Sequence, residues 1–154
     1  MNWVVKSFEE LSNNELYAIL KLRCEVFVVE QNCPYLDEDD KDQNSYHLMG
    51  WKDDLLAAYT RLLPAGLAFE EASIGRVVTS PKARGAGIGR ELMLQSIKQL
   101  YNLFGKVPIR IGAQLYLKNF YASLGFEQVS DMYLEDNIPH VKMLKSAQDK
   151  NAKK

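Results

Sequence analysis

A glycine-rich turn over residues 84–89, Arg-Gly-Ala-Gly-Ile-Gly, has the composition of a phosphate-binding loop. The segment before it, Ser73 to Thr79, is rich in β-branched residues and predicts a buried strand. After the turn, apolar residues recur three to five positions apart from Ile88 to Phe104, which predicts a helix. The glycines are therefore expected at a helix N-terminus, where unpaired N–H groups and the helix dipole attract anions. Residues without a Cβ let a phosphate approach the main chain.

Two common phosphate-binding motifs do not fit this turn. A P-loop has four residues between its glycines and then Lys-Ser or Lys-Thr, whereas Arg90 and Glu91 follow Gly89 here. A dinucleotide-binding fingerprint needs a third glycine where Arg90 stands. It also needs an acidic residue about 20 positions further on, where Arg110 lies instead. The pattern that remains is Arg-x-x-Gly-x-Gly.

This pattern resembles the coenzyme A motif of the GCN5-related N-acetyltransferases, the GNAT family. A second motif, Asn119 to Phe126, resembles the late helix of the same family, which carries Asn and Tyr ahead of a Gly-Phe pair. The stretch from Leu22 to Tyr35, taken with Ile138 to His140, is similar to the ElaA branch of the family. Because the two motifs occur in the family's order, the resemblance spans most of the chain.

The resemblance implies an α/β acyl-CoA N-acyltransferase fold, with a mixed and mostly antiparallel sheet that is flanked by helices and splayed at its central strands. In the first half of the chain, the patterns predict a strand from Trp3 to Phe8, a helix begun by Ser12 and Glu15 that carries Phe27, and an acidic loop over 32–44. A hairpin of Tyr46 to Trp51 and Leu55 to Leu63 follows. In the second half, they predict a strand from Val107 to Gly112, a helix from Leu115 to Leu124, and a last hairpin of Glu127 to Leu134 and His140 to Leu144 around Asp136 to Pro139. We expect one N-acetyltransferase domain over 1–145 and a frayed basic tail over 146–154.

The function implied by the resemblance is direct transfer of an acetyl group from acetyl-CoA to a primary amine of a small molecule or a protein. Main-chain groups of the strand before the turn are expected to pair with the pantetheine arm, and the turn to hold the pyrophosphate. The residues expected to hold acetyl-CoA are Val77, Val78, Thr79, Arg84, Gly85, Ala86, Gly87, Ile88, Gly89, Arg90 and Asn119. The alternative function is a catalytically silent acyl-CoA sensor or interaction module on the same fold.

Two groups are candidates for catalysis. The N–H of Val78 is expected to stabilise the oxyanion that forms as the thioester carbon becomes tetrahedral. Tyr121 is expected to protonate the leaving thiolate, because a phenol with a reference pKa of about 10 is protonated at neutral pH. Packing on an amphipathic helix is the other interpretation of Tyr121. The two histidines, His47 and His140, titrate in a useful range, but neither is assigned as the general base.

The acceptor side is less well defined by the sequence. Arg23 interrupts the apolar stripe of the first helix, so it either reaches a substrate carboxylate or forms a buried ion pair with Glu25, Glu30 or the acidic loop. His140 is a second candidate substrate contact. The acidic run is either a solvated loop or a wall that attracts cationic amines. Its members are Asp37, Glu38, Asp39, Asp40 and Asp42.

Composition limits the partners. The chain has 154 residues, of which 47% are hydrophobic, and a formal net charge of −1, so no basic field would attract nucleic acid. It has no apolar run long enough for a membrane helix and no signal peptide at its start, which predicts a cytoplasmic protein. Its two cysteines, Cys24 and Cys33, have no metal-ligand spacing, so no metal is expected. The expected oligomeric state is a monomer or a homodimer.

Overall fold

The first four strands form one antiparallel sheet in chain order. The computed structural model describes residues 1–147, so the predicted tail lies outside the described residues from position 148 onward. The four strands are β1 (Asn2–Ser7), β2 (Tyr46–Lys52), β3 (Leu55–Leu63) and β4 (Ser73–Thr79). The predicted hairpin of β2 and β3 is confirmed, with Lys52 paired to Leu55 across the turn.

A second antiparallel sheet is built on the long strand β8 (Ile138–Lys145). It pairs with β5 (Ile109–Gln114) on one side and with β6 (Glu127–Gln128) and β7 (Tyr133–Glu135) on the other. The two sheets meet at a parallel bridge between Ala72 and Ile109, where the N–H of Arg110 donates to the carbonyl of Ala72 at 2.9 Å. Beyond this bridge β4 and β5 diverge, which confirms the predicted mixed sheet with splayed central strands.

Strand β4 contains a bulge. Val78 pairs with Tyr59 and Gly75 pairs with Arg61, so β4 has one more residue than β3 between the two pairs. The extra residue is accommodated by Arg76, whose φ of 51° lies in the left-handed region. A bulge of this kind twists the strand and interrupts its pairing, and it places the side chain of Arg76 outside the regular alternation.

Helices cover both faces of the first sheet. Helix α1 (Asn13–Arg23) begins at the predicted capping box of Ser12 and Glu15 and packs through Ile19 on the face that carries Met49. Helix α2 (Ile88–Phe104) packs through Leu92 on the opposite face, which carries Leu48. A short helix α3 (Lys118–Ala122) follows a 3₁₀ turn at Leu115–Leu117.

Several predicted elements have different bounds. Strand β1 lies one residue earlier than predicted and β5 two residues later, the helix predicted over Leu115 to Leu124 is the 3₁₀ turn followed by α3, and the strand predicted over Glu127 to Leu134 is divided into β6 and β7. The first helix continues as a π-helical segment, Cys24–Glu30, in which the N–H of Gln31 donates to the carbonyl of Val26 at 3.1 Å. The last predicted hairpin has a tighter turn, because Asp136 and Asn137 both adopt positive φ and make a two-residue connection. Ile138 and Pro139, which we assigned to the turn, therefore belong to β8.

Within residues 1–147, no helix is both long enough and apolar enough to cross a bilayer. Cys24 is exposed and Cys33 is half-buried, and neither forms a disulfide.

Candidate active site

A cleft of about 670 Å³ opens where β4 and β5 diverge. One wall is the exposed edge of β4, and the other is formed by the end of β5 and by α3. The π-helical segment, the turn between β7 and β8 and the glycine-rich turn also line the cleft. The divergence of two neighbouring strands therefore produces a channel with main-chain groups along one side.

The direction of the β4 main chain decides which N–H groups face this cleft. The N–H of Ser80 donates to the carbonyl of Ala57 on β3 at 2.8 Å. Val78 lies two residues earlier, so its N–H points to β3 as well, and its side chain packs beneath α1. The register therefore does not support Val78 as the oxyanion donor. Because consecutive residues of a strand direct their main-chain N–H and C=O groups to opposite sides, those of Val77 and Thr79 face the cleft.

The glycine-rich turn is left-handed over three residues. Gly85, Ala86 and Gly87 have φ values of 101°, 55° and 74°, and Gly87 caps α2. The N–H groups of Gly89 and Arg90, at the second and third helical positions, have no partner within the helix. A Cβ built at Gly85, Gly87 or Gly89 meets no atom within 4 Å, so the space above the turn is open. The turn thus has the unpaired donors and the room that a phosphate requires.

Arg84 enters this space but is engaged by a carboxylate. Its guanidinium donates two hydrogen bonds of 2.7 Å to Glu30 on the π-helical segment, and a third of 3.3 Å to the carbonyl of Thr79. The hydrogen bonds and charge of Arg84 lower the pKa of Glu30. Both side chains are partly exposed, so the pair costs little to separate.

Four predicted cofactor residues do not present a side chain to the cleft, and the first of them, Ala86, is exposed in the turn. Arg90 donates to Ser123 Oγ at 3.1 Å and so ties α2 to the end of α3. Asn119 is exposed on α3 and does not line the cleft. Ile88 is buried against the sheet, and its N–H is used within the turn by the carbonyl of Gly85.

Tyr121 lies in the cleft wall. Its ring packs at right angles to Phe120 and Phe126, and only 5% of the residue is exposed. Its hydroxyl makes no hydrogen bond within residues 1–147. Burial raises the pKa of Tyr121 to about 12, with a smaller contribution from Tyr116. The phenol is therefore a proton donor at neutral pH.

The two histidines have different environments. His47 is buried, with Nδ1 2.7 Å from the hydroxyl of Tyr59 and Nε2 3.0 Å from the carbonyl of Asp42. Burial lowers the pKa of His47, and both of its nitrogens are engaged, so its role is structural. His140 lines the cleft, and its Nδ1 is 2.7 Å from the carbonyl oxygen of Ile138.

Arg23 is not a substrate contact, because it is fully buried and paired. Its Nε lies 2.7 Å from Asp37 Oδ2 and its Nη1 lies 2.8 Å from Asp42 Oδ1. Asp42 also accepts from Arg61, which makes two further hydrogen bonds of 2.8 Å to Asp39. Three residues of the acidic run thus neutralise arginines, and only Glu38 and Asp40 are exposed. Of the two interpretations of the run, a wall of free carboxylates at the acceptor site is therefore not supported, and only its two exposed members fit a solvated loop.

Arg76 connects this charge network to the β4 bulge. Its Nη2 donates to the carbonyl of Asp37 at 2.7 Å. Its Nε lies 2.8 Å from Asp37 Oδ1, which is close enough for charge pairing although the angle is too bent for a hydrogen bond. We did not single out Arg76 or Arg61 from the sequence, although each is a cation within an otherwise apolar strand. The network fixes the acidic loop against the bulge and so supports the cleft.

Carboxylates Glu135 and Asp136 on the β7–β8 turn also line the cleft, and sequence reasoning missed both. Both are exposed. Within residues 1–147, no cluster of three His, Cys, Asp or Glu side chains could hold a metal ion.

Residues 13–147 match the Acetyltransferase (GNAT) domain, and the chain belongs to this family of acyl-CoA N-acyltransferase fold. It is similar to ElaA of Escherichia coli K12, at 44% identity over 145 residues that cover 93% of this chain and 95% of ElaA. A crystal structure of Escherichia coli ElaA has a TM-score of 0.88 at 43% identity and covers 94% of this chain and 99% of its own. An acyl-CoA N-acyltransferase from Pseudomonas aeruginosa has a TM-score of 0.90 at 42% identity, with coverages of 95% and 100%.

The charge network makes a prediction about stability. Asp42→Asn keeps the shape of the side chain but removes the charge shared by Arg23 and Arg61. Because Arg23, Arg61 and Arg76 then share only Asp37 and Asp39, one buried positive charge is left uncompensated, and the free energy of unfolding at pH 7 should fall by about 3–5 kcal/mol in urea denaturation. Glu38→Gln removes an exposed carboxylate of the same loop and should change this energy by less than about 0.5 kcal/mol.

The pH dependence distinguishes a lost charge from a lost shape. Burial raises the pKa of Asp42, but the hydrogen bonds and charges of Arg23 and Arg61 outweigh it and hold the pKa below its ordinary value. Such a group stabilises the fold above its unfolded pKa of about 3.9 and loses that effect in more acidic solution. The stability difference between wild type and Asp42→Asn should therefore narrow below about pH 4. A difference that widens in acid would contradict this account.

Proposed function

We propose that this protein is an N-acetyltransferase that moves an acetyl group from acetyl-CoA to a primary amine by direct attack. The observation that carries the proposal is the continuity of the cleft. A strand edge with main-chain groups directed into the cleft leads to an open helix N-terminus, and Tyr121 lines the same cleft. The similar Pseudomonas aeruginosa protein is described as an acyl-CoA N-acyltransferase, which supports the donor class.

The residues present fit a coenzyme A thioester. The main-chain groups of Val77 and Thr79 would pair with the amides of the pantetheine arm, as a neighbouring strand does. The N–H groups of Gly89 and Arg90 would hold the pyrophosphate, together with the guanidinium of Arg84 once it leaves Glu30.

Two groups of the chain would then stabilise the charges that develop during acyl transfer. The N–H of Val77, on the cleft side of the bulge, would stabilise the oxyanion as the amine adds to the carbonyl carbon. When the carbon–sulfur bond breaks, the electron pair goes to sulfur and the phenol of Tyr121 would donate a proton to it. The raised pKa of Tyr121 keeps this proton in place until the thiolate forms.

Charge on the side of the cleft formed by the end of β7 and the turn after it favours a cationic amine acceptor. Glu135 and Asp136 are exposed carboxylates there, whereas Arg76 and Arg84 are both neutralised by ion pairs. The acceptor would therefore be a basic amine, free or on a protein, rather than an amino group on an acidic molecule.

Release of free thiol from acetyl-CoA, measured against a panel of primary amines, tests the proposal directly. Turnover with at least one amine is the expected result. Saturable binding of acetyl-CoA without turnover on any amine would instead support the sensor function.

A branched side chain at Gly89 should block the phosphate site without damaging the fold. Gly89 has an ordinary helical φ and a Cβ there enters only open space. Gly89→Val should therefore bind acetyl-CoA at least about tenfold more weakly by calorimetry while the melting temperature stays near the wild-type value. Lys98→Val places the same side chain on an exposed position of α2 outside the cleft, and its affinity should not change. Wild-type affinity in Gly89→Val would exclude this turn as the phosphate site.

Removing the carboxylate of Glu30, which competes with a phosphate for Arg84, should strengthen the binding of acetyl-CoA. Glu30 must release Arg84 before the guanidinium can reach a phosphate, and an exposed ion pair contributes about 0.2–1 kcal/mol. Glu30→Gln should then bind acetyl-CoA up to about fivefold more tightly. The same substitution in an Arg84→Gln background should have no effect. An equal gain in both backgrounds would show that Glu30 acts only through long-range repulsion of the ligand.

Tyr121→Phe keeps the ring packing and removes only the donor. Turnover should fall by about 10²–10⁴-fold while the dissociation constant of acetyl-CoA is unchanged. Tyr116→Phe removes the hydroxyl of an exposed tyrosine that lines the same cleft, and it should turn over like wild type. If Tyr121→Phe stays within about twofold of wild type under chemistry-limited conditions, Tyr121 is not the acid.

A further inference from the structure

The imidazole of His140 has one engaged nitrogen and one free nitrogen. Nδ1 lies 2.7 Å from the carbonyl oxygen of Ile138. Because a carbonyl oxygen can only accept, Nδ1 carries the proton and the neutral ring has its lone pair on Nε2. Within residues 1–147, Nε2 makes no hydrogen bond.

The position of this lone pair is fixed by the sheet. His140 is 8% exposed and lines the cleft that Tyr121 also lines. Its ring stacks on Tyr133 with the centroids 5.9 Å apart and the planes at 29°. His140 pairs with Gln114 of β5 on one side and with Tyr133 of β7 on the other, so the backbone beneath the ring is held by two neighbours.

The proposed acetyl transfer requires a proton acceptor in the cleft. A basic amine arrives as an ammonium ion, which has no lone pair with which to attack a thioester. We propose that Nε2 of His140 is the general base that removes this proton. The inference rests on the proposed function and deepens it, since it assigns the one proton transfer for which Val77 and Tyr121 are not suited.

Other proton acceptors near the cleft are less suitable. Glu30 is engaged by Arg84 through two hydrogen bonds, and both nitrogens of His47 are engaged outside the cleft. Glu135 and Asp136 are exposed, so their carboxylates are hydrated and not held in one orientation. His140 combines burial, a fixed tautomer and a free lone pair.

The protons balance as follows. Nε2 takes one proton from R–NH₃⁺ and becomes part of an imidazolium. The amine lone pair then forms the carbon–nitrogen bond while the carbonyl electron pair moves to oxygen. On collapse the carbon–sulfur bond breaks, Tyr121 protonates the sulfur, and Tyr121 recovers a proton from the nitrogen as the amide forms. The products are the N-acetyl amine and free thiol, and His140 passes its proton to solvent.

Several titratable groups share the cleft with His140. The titratable groups that line the cleft with His140 are Glu30, Cys33, Tyr35, Arg76, Arg84, Tyr116, Tyr121, Glu135 and Asp136. Lys142 lies over the ring of Tyr133, 4.0 Å from its centroid. The base works in its neutral form and the amine attacks as its free base, so kcat/KM for a basic amine should rise with pH.

His140→Asn tests the assignment, because its amide can still donate to the carbonyl of Ile138 but has no basic nitrogen. The assay uses two acceptors chosen from amines that wild type acetylates: an alkylamine, which is charged at pH 7, and an aniline, which is neutral. We expect kcat for the alkylamine to fall by about 10²–10⁴-fold and to recover as pH rises, since the amine then loses its proton in solution. The aniline rate and the acetyl-CoA dissociation constant should change by less than about threefold.

Equal losses for the two acceptors, or wild-type turnover of the alkylamine, would overturn the role of His140 while leaving the proposed function intact. No turnover by wild type on any amine would overturn both. Nitrogen NMR of labelled His140 in the wild-type protein gives a readout that needs no acceptor. A neutral ring protonated on Nδ1 is expected, and a ring protonated on Nε2 would overturn the inference.

Discussion

The divergence of β4 from β5 is the constraint on which the rest of the molecule depends. The two strands share one parallel bridge at Ala72 and Ile109 and then separate, so the main-chain groups on one edge of β4 lose their partners. Unpaired N–H and C=O groups are costly unless water or a ligand satisfies them. The cleft opens along this edge of β4, so an extended ligand that contains amides can pair with more of these main-chain groups than a compact ligand can.

The parts of the site that depend on local sequence could be predicted. The glycine-rich turn and the helix after it follow from residue type and periodicity, and Tyr121 follows from its motif. The main-chain N–H groups of β4 that face the cleft could not be predicted in the same way, because one inserted residue reverses the direction of every N–H beyond it. The bulge at Arg76 is such an insertion, and its signal is only an arginine in an apolar strand.

The secondary-structure elements, like the site residues, could be predicted where local sequence defines them and not where contacts between distant segments do. Strands β3 and β4 and helix α2 have the predicted bounds, because alternation, turns and glycines define them locally. The π-helical segment was not predicted, because the apolar residues that continue the first helix do not distinguish a π-helix from an α-helix. Arg23 and the acidic run were separately visible in the sequence, but their pairing depends on contacts between distant segments.

The buried network of arginines and aspartates also has an evolutionary consequence. Asp42 serves both Arg23 and Arg61, and Asp37 serves both Arg23 and Arg76, so each carboxylate is shared between two cations. A single substitution leaves a buried charge uncompensated, whereas replacing the whole set by apolar residues of similar volume need not destabilise the fold. Substitutions at these positions should therefore be correlated among homologous chains, and intermediates that carry only one of the changes should be rare.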